Sequence, residues 1–238
     1  PVVLVLIKLV SLLMHASWGY SAVFWLILEG VGLASIAYGT FYAFYQTRLK
    51  SLLAVSGIIN MGYIPLALSL HSTLGIFVAI SYLLTYCFIT LGLFFVLLAF
   101  SSKKGPFVRL TDVDVVLRTN GLLGWIFAIT LLSAAGMPPF PGFFSKLFVL
   151  WAFAVEGNYA VAFFLLLANV ANFILYIRLI RFMYFFSLRQ ELLQERSNLQ
   201  ELDRTYVVFL VLCFLGSLFF GVLVPLWFWK YVAIIGGL

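Results

Sequence analysis

Residues 131–150 read LLSAAGMPPFPGFFSKLFVL, and the fold turns on how they are taken. An apolar run that begins near Gly121 reaches Ala135 and then meets Gly136, Pro138, Pro139, Pro141 and Gly142. Proline has no amide proton and clashes with the preceding helical turn, so regular helix cannot run through this cluster. A second apolar run starts at Phe143, continues to about residue 155, and contains a single charge, Lys146. The stretch predicts a membrane helix broken over residues 136–142. Unwound backbone is tolerated in hydrocarbon only where protein buries it or where it lines a wet cavity. A lysine at mid-membrane depth costs roughly 2.5–3.5 kcal/mol on insertion scales and marks a functional position. Together, a broken helix and an intramembrane cation point to an ion or proton path. The same residues also allow a second reading: two short helices joined by a surface loop, with Lys146 snorkelling to the interface.

Working outward, composition sets the class. The chain is 65% hydrophobic, 18% aromatic and 9% charged, far from a soluble domain. A spanning helix needs about 20 apolar residues, and the apolar runs predict about seven. The net charge of +6 is not gathered on a soluble domain, so it reads as membrane topology and not as nucleic-acid binding. Cys87 and Cys213 lie inside apolar runs without metal-like spacing and are expected to be buried thiols. There is no cleavable signal pattern. The chain starts with Pro1 and not Met, as expected of a processed, trimmed or partial sequence.

The first predicted helix, about 2–18, carries Lys8, Ser11 and His15 on one face. A polar stripe on an apolar helix must look into protein or water, unless Lys8 snorkels out from the helix start. The second helix, about 23–45, contains Glu29, which could pair with a cation, stay protonated or sit at the interface. The third, about 51–70, holds Asn60, Tyr63 and Pro65, with a kink expected at the proline. The fourth, about 74–100, holds Tyr82, Thr85, Tyr86, Cys87 and Thr90, hydroxyls that can hold water but more often bond to neighbouring backbone. A polar loop is expected at 101–120. After the broken span comes a sixth helix, about 159–186, with Asn169 and Asn172 on one face and suited to bonds between helices. A polar segment at 188–204 suggests a short surface helix. The seventh helix runs from about 206 to 229, with Lys230 and Tyr231 as interface anchors.

Seven crossings place 46–50, 101–120 and 187–204 on one side of the membrane. Arg48, Lys50, Lys103, Lys104, Arg109, Arg118, Arg189, Arg196 and Arg204 all fall there, and Arg178 and Arg181 end a helix facing it. The positive-inside rule makes this the matrix or cytoplasmic side. Only Lys8 and Lys146 fit no loop, so both are expected inside the membrane.

LLSAAGMPPFPGFFSK resembles the LLSLAGIPPxxGFxxK segment of the antiporter-like subunits of respiratory complex I, and QTRLKSLLAVSGIINMGY (46–63) resembles their QxxxKRLLAYSSIxxMGY. The likeness extends along the whole chain, though only these two motifs are sharp, and it is strongest to the C-terminal half of NADH dehydrogenase subunit 2. Ser51 and Val55 depart from the pattern, where the family has Arg and Tyr. The resemblance implies an all-α membrane protein, half of a fourteen-helix antiporter-like fold forming a single transmembrane domain over 1–238. It matches Lys8 and Lys146 to the lysines of the family's eighth and twelfth helices. It also implies that a separate chain supplies the N-terminal half, as in a split subunit.

The function so implied is proton translocation in NADH:ubiquinone oxidoreductase, of which this chain would be a subunit with no catalytic activity alone. Its partners would be other membrane subunits of the complex and membrane lipids, with no nucleic acid. The chain carries no redox motif, so no cofactor or metal is expected in it. NADH, FMN, iron–sulfur clusters and ubiquinone would belong to other subunits. Lys8 would pass protons, by water near Ser11 and His15, to Lys146, which would release them to the outside, with Glu29 a further candidate on the path. Moving one charge against the membrane potential takes about 2.3 kcal/mol per 100 mV, so coupling to a driving reaction is required. A mitochondrial inner membrane is favoured over a bacterial plasma membrane. Two alternatives stand: a sodium/proton antiporter subunit of the same superfamily, and a seven-helix receptor or structural membrane subunit.

Overall fold

The computed structural model describes residues 21–46, 49–104, 121–185 and 204–223, with residue 226. Regular structure among these is helical throughout: α1 (Ser21–Phe44), α2 (Leu49–Leu68), α3 (Thr73–Lys104), α4 (Gly121–Ala135), α5 (Pro141–Val155), α6 (Tyr159–Phe185) and α7 (Arg204–Leu218). A π-helical turn, Phe219–Leu223, follows α7. Hydrocarbon offers backbone groups no water to bond, so long apolar runs must close their hydrogen bonds within each segment. Val23–Phe44, Ser51–Leu68, Thr73–Phe95 and Tyr159–Arg181 are each long and apolar enough to cross a membrane. At 15 residues apiece, α4 and α5 each extend about 22 Å at 1.5 Å per residue, short of a hydrocarbon core of about 30 Å. They complete one crossing only as a broken pair, as the sequence predicts.

The chain is organised about α3, which packs against α2, α4, α5, α7 and the π turn. On the other side of the break, α6 packs against α4, α5 and α1. The α4–α5 junction is thus walled by protein on several sides, which is what unwound backbone in a membrane requires. The most extensive helix contact joins α1 to α2, where Gly32 and Gly62 let the two backbones approach closely.

Contacts at the helix ends fix which ends lie together. The ring of Trp25, near the start of α1, lies tilted against His71 in the α2–α3 link, with centroids 5.6 Å apart. Ser72 in that link donates a 2.6 Å hydrogen bond to Glu156 at the end of α5. At the opposite end, Arg178 of α6 donates to the Phe44 carbonyl at the end of α1 (3.0 Å). This is the alternation of links expected from counting crossings.

Some expectations are corrected. Pro141 and Gly142 open α5 and do not extend the break, since proline at the first helical position gives up an amide that no helix turn would use. α3 continues through Lys104, into residues assigned to a loop. Pro65 does lie inside α2, where the sequence places it. Cys213 is buried, but Cys87 is exposed, because it lies on the outward face of α3 with Leu91 and Phe94. The predicted first helix, with Lys8, Ser11 and His15, lies outside the described residues. So do the segments 105–120 and 186–203.

Candidate functional site

The site grows out of the way α4 ends. Gly136 adopts φ +82°, the left-handed conformation that suits glycine. Its amide bonds to the Ser133 carbonyl (3.1 Å) and the Met137 amide to the Leu132 carbonyl (3.1 Å). These are the two bonds of a Schellman motif, and they satisfy two of the last four carbonyls of the helix. The other two belong to Ala134 and Ala135. The Lys146 amine donates to both, at 2.8 Å and 3.4 Å. One cation therefore completes the capping of a helix that stops inside the membrane, and it sits at the negative end of the helix dipole.

α5 is aimed so that this is possible. The Gly142 amide donates to the Ser133 hydroxyl (3.4 Å), and a Cβ on Gly142 would run into the Ser133 carbonyl. The start of α5 thus presses backbone to backbone on the end of α4, and Lys146, one turn on, reaches back over the break. Gly221 of the π turn rests against Pro141 and Thr85 and closes the junction from the side. Lys146 is 4% exposed. This decides between the two sequence readings, because a snorkelling lysine would carry its amine to water.

An ammonium has three donors, and two serve the carbonyls. Around the amine is a small cavity of about 10 Å³ for the centre of a water molecule, room for about one water. Its polar lining comes from Asn60, Tyr82, Thr85, Tyr86, Ser133 and Ser145. The amine also lies 5.9 Å from the ring centroid of Tyr63, in cation–π range.

The polar side chains facing Lys146 form an ordered set. Tyr82 donates to the Asn60 side-chain oxygen (3.0 Å), and the Asn60 amide donates to the Ser56 carbonyl (2.8 Å). Tyr63 donates to Asn169 of α6 (2.8 Å), the bond between helices expected of that asparagine. The rings of Tyr63 and Tyr82 stack at 5.2 Å, and those of Tyr82 and Tyr86 at 6.4 Å. Thr85 and Thr90 bond to backbone carbonyls one turn back, again as expected. Tyr82, Asn60, Tyr63 and Asn169 are each held in one orientation by these bonds, so this wall of the cavity is preorganised beside the amine.

Of the predicted site residues, the structure places Lys146 at the centre. Glu29 is partly buried on α1 and does not line the cavity. Lys8, Ser11 and His15 lie outside the described residues. Sequence reading named Asn60, Tyr63 and Tyr82 without assigning them to a site. Their signal was the spacing of Ser56, Asn60 and Tyr63, which puts three polar groups on one face of an apolar helix.

Residues 2–174 match the family described as NADH:quinone oxidoreductase/Mrp antiporter, TM. The chain is 35% identical over 176 residues to NADH-quinone oxidoreductase subunit N 1 of Rhizobium meliloti, covering 73% of this chain and 36% of that protein. It is 34% identical over 161 residues to NADH-ubiquinone oxidoreductase chain 2 of Rhizopus oryzae, covering 64% and 31%. The chain spans about a third of the length of such relatives. Among solved structures, a chain of respiratory complex I from Thermus thermophilus superposes with a TM-score of 0.60 at 25% identity, over 84% of this chain and 44% of that one. A chain of the Mrp complex from Dietzia shares the fold, with a TM-score of 0.65 at 24% identity over 72% and 33%.

Proposed function

The chain belongs to the NADH:quinone oxidoreductase/Mrp antiporter transmembrane family, and from that premise we propose that it carries protons across the membrane as part of the membrane arm of an NADH:quinone oxidoreductase. The observation that carries this reading is the Lys146 amine, buried at a broken helix with two donors committed to carbonyls and a water-sized cavity beside it. A buried amine can gain and lose a proton without leaving its place, and the carbonyls of Ala134 and Ala135 stabilise the ammonium while it is charged. Redox chemistry, with NADH, flavin, iron–sulfur clusters and quinone, belongs in this reading to other subunits. The relatives' remaining two-thirds, on this chain or a second one, is the proposed immediate partner, with neighbouring membrane subunits and lipid around it. The proposed setting is the mitochondrial inner membrane, with Arg178 and Arg181 facing the matrix.

The test is Lys146→Ala in the assembled complex, reconstituted in sealed vesicles. The expected result is normal assembly, retained NADH oxidation with quinone when the vesicles are uncoupled, and fewer protons moved per NADH. Unchanged proton stoichiometry at normal assembly would overturn the reading. A complex that carries no NADH-oxidising subunit and exchanges sodium for protons would move the chain to the antiporter branch.

A further inference from the structure

α7 does not reach the break as a regular helix. Residues Phe219–Leu223 form a π turn, in which hydrogen bonds span five residues and not four. Its effect shows in the register against α3. Gly92 of α3 lies beside Cys213, Phe88 beside Gly216, and Thr85 beside Gly221. Thr85 and Phe88 are three residues apart, close to one turn of α3, whereas Gly216 and Gly221 are five apart. In a regular α-helix two residues five apart point about 140° away from each other, at 3.6 residues per turn. The π turn brings both glycines to one face. Without it, the next residue on the face of Cys213 and Gly216 is Phe220. With it, the Phe220 ring is set aside, stacked on Phe88 at 5.6 Å, and a residue with no side chain takes that place.

The place so filled is the support of α5. A Cβ on Gly221 would come within 2.9 Å of the Pro141 carbonyl oxygen, the Pro141 Cβ and the Thr85 Cγ2. Pro141 is the first residue of α5, and its carbonyl accepts from the Ser145 hydroxyl (3.2 Å). Phe140, the residue before it, meets Phe214 of α7 edge to face at 6.5 Å. Thr85 and Ser145 both line the cavity at the Lys146 amine. The start of α5 is thus held by Ser133 of α4 through the Gly142 amide, and it rests on Gly221. The amine belongs to a residue five positions along the same helix and bonds across the break at 2.8 Å and 3.4 Å. Any shift of Pro141 is carried along a rigid helix to an amine whose longer bond already lies at the far end of hydrogen-bond distances.

We infer that Gly221, presented by the π turn, is a positioning residue for Lys146. It sets where α5 starts, and thereby where the amine stands against the carbonyls of Ala134 and Ala135 and against the cavity. The inference rests on the proposed proton-carrying role of Lys146. Gly221 itself exchanges no proton. The π turn lets the end of α7 support the break at van der Waals contact, where a regular helix would bring a phenylalanine ring. Gly216, on the same face, differs in kind. A Cβ there would meet the ring of Phe88, at 2.7 Å, and a ring can turn aside. At Gly221 the obstacle includes the backbone of α5, which cannot yield without moving the helix that bears Lys146.

The test is Gly221→Ala in the assembled complex in sealed vesicles, beside Gly216→Ala and Lys146→Ala. Gly221→Ala is expected to assemble and to keep uncoupled NADH oxidation with quinone. It is expected to lose at least half as many protons per NADH as Lys146→Ala loses, with the pH profile of pumping displaced from that of the parent. The other titratable side chains at the amine among the described residues are the phenols Tyr63, Tyr82 and Tyr86, so the double variant assigns the effect. On a Lys146→Ala background, Gly221→Ala is expected to remove no further protons and to leave the profile where it was. Gly216→Ala is expected to pump normally. Should Gly221→Ala fail to assemble, Phe220→Leu keeps the glycine and loosens the ring stack beside it, and a smaller loss of the same kind is expected. Normal stoichiometry or an unchanged pH profile in Gly221→Ala, an equal loss in Gly216→Ala, or a loss that adds to that of Lys146→Ala would overturn the inference. So would normal pumping in Phe220→Leu where Gly221→Ala does not assemble. If Lys146→Ala pumps normally, the role of Lys146 fails first. If Lys146→Ala pumps poorly while Gly221→Ala pumps normally, the positioning alone fails.

Discussion

α4 and α5 end with the same device. α5 stops at Gly157 with φ +81°, the Gly157 amide on the Ala154 carbonyl and the Asn158 amide on the Phe153 carbonyl. Residue for residue this is the bonding at Gly136. The surroundings differ. A Cβ on Gly157 would meet nothing within 4 Å, whereas one on Gly136 would meet the Lys146 side chain at 3.1 Å. At the Glu156 end, solvent can satisfy the two carbonyls that the motif leaves over. At the buried break, the leftover carbonyls of Ala134 and Ala135 bind a cation supplied by the chain itself. A helix terminus is a routine object at a surface, and in a membrane interior it becomes a cation site.

The largest expected effect comes from removing that cation. Lys146→Met should leave two buried carbonyls without a donor, at about 1–3 kcal/mol each, seen as a clear drop in the thermal midpoint of the assembled complex. No substitution at the α5 terminus should approach this, and an equal loss from Gly157→Ala would break the comparison. The glycine pair comes next. Alanine in the left-handed region costs about 1–2 kcal/mol at either position. Only Gly136→Ala also displaces Lys146, so it should lower proton pumping several-fold while Gly157→Ala pumps normally. Equal pumping in the two would show that the amine tolerates a shifted cap. A smaller effect is expected from the supporting bonds. In a double-mutant cycle on thermal stability, Asn60→Leu and Tyr82→Phe should show coupling of about 0.5–1.5 kcal/mol; additive behaviour would mean that their hydrogen bond does not hold the cavity wall. Least of all, Glu156→Gln should change stability by less than about 0.5 kcal/mol, since an exposed amide oxygen still accepts from Ser72.

Much of this architecture is legible in residues 131–150. Proline and glycine chemistry dictates a break, and the leftover lysine in the charge count marks an intramembrane cation. The ends of α4 and α5 were harder to read, because Pro141 and Gly142 look like loop residues and are tolerated in a first helical turn. Asn172 shows the other limit. Its spacing from Asn169 says that both face inward, yet Asn169 finds Tyr63 and Asn172 finds no partner among the described residues. Nothing in the spacing distinguishes them, because the difference lies in what α2 presents at each level.

The amino-acid order alone determined the helical membrane class, the place of the break and the presence of a charge beside it, since these follow from local rules of backbone bonding and transfer to hydrocarbon. Tertiary structure decided that Lys146 reaches back to the carbonyls of Ala134 and Ala135, and that α2, α3 and α6 surround it with phenols and amides. Those outcomes depend on which faces of separate helices meet, and helix periodicity specifies a face without naming its neighbour.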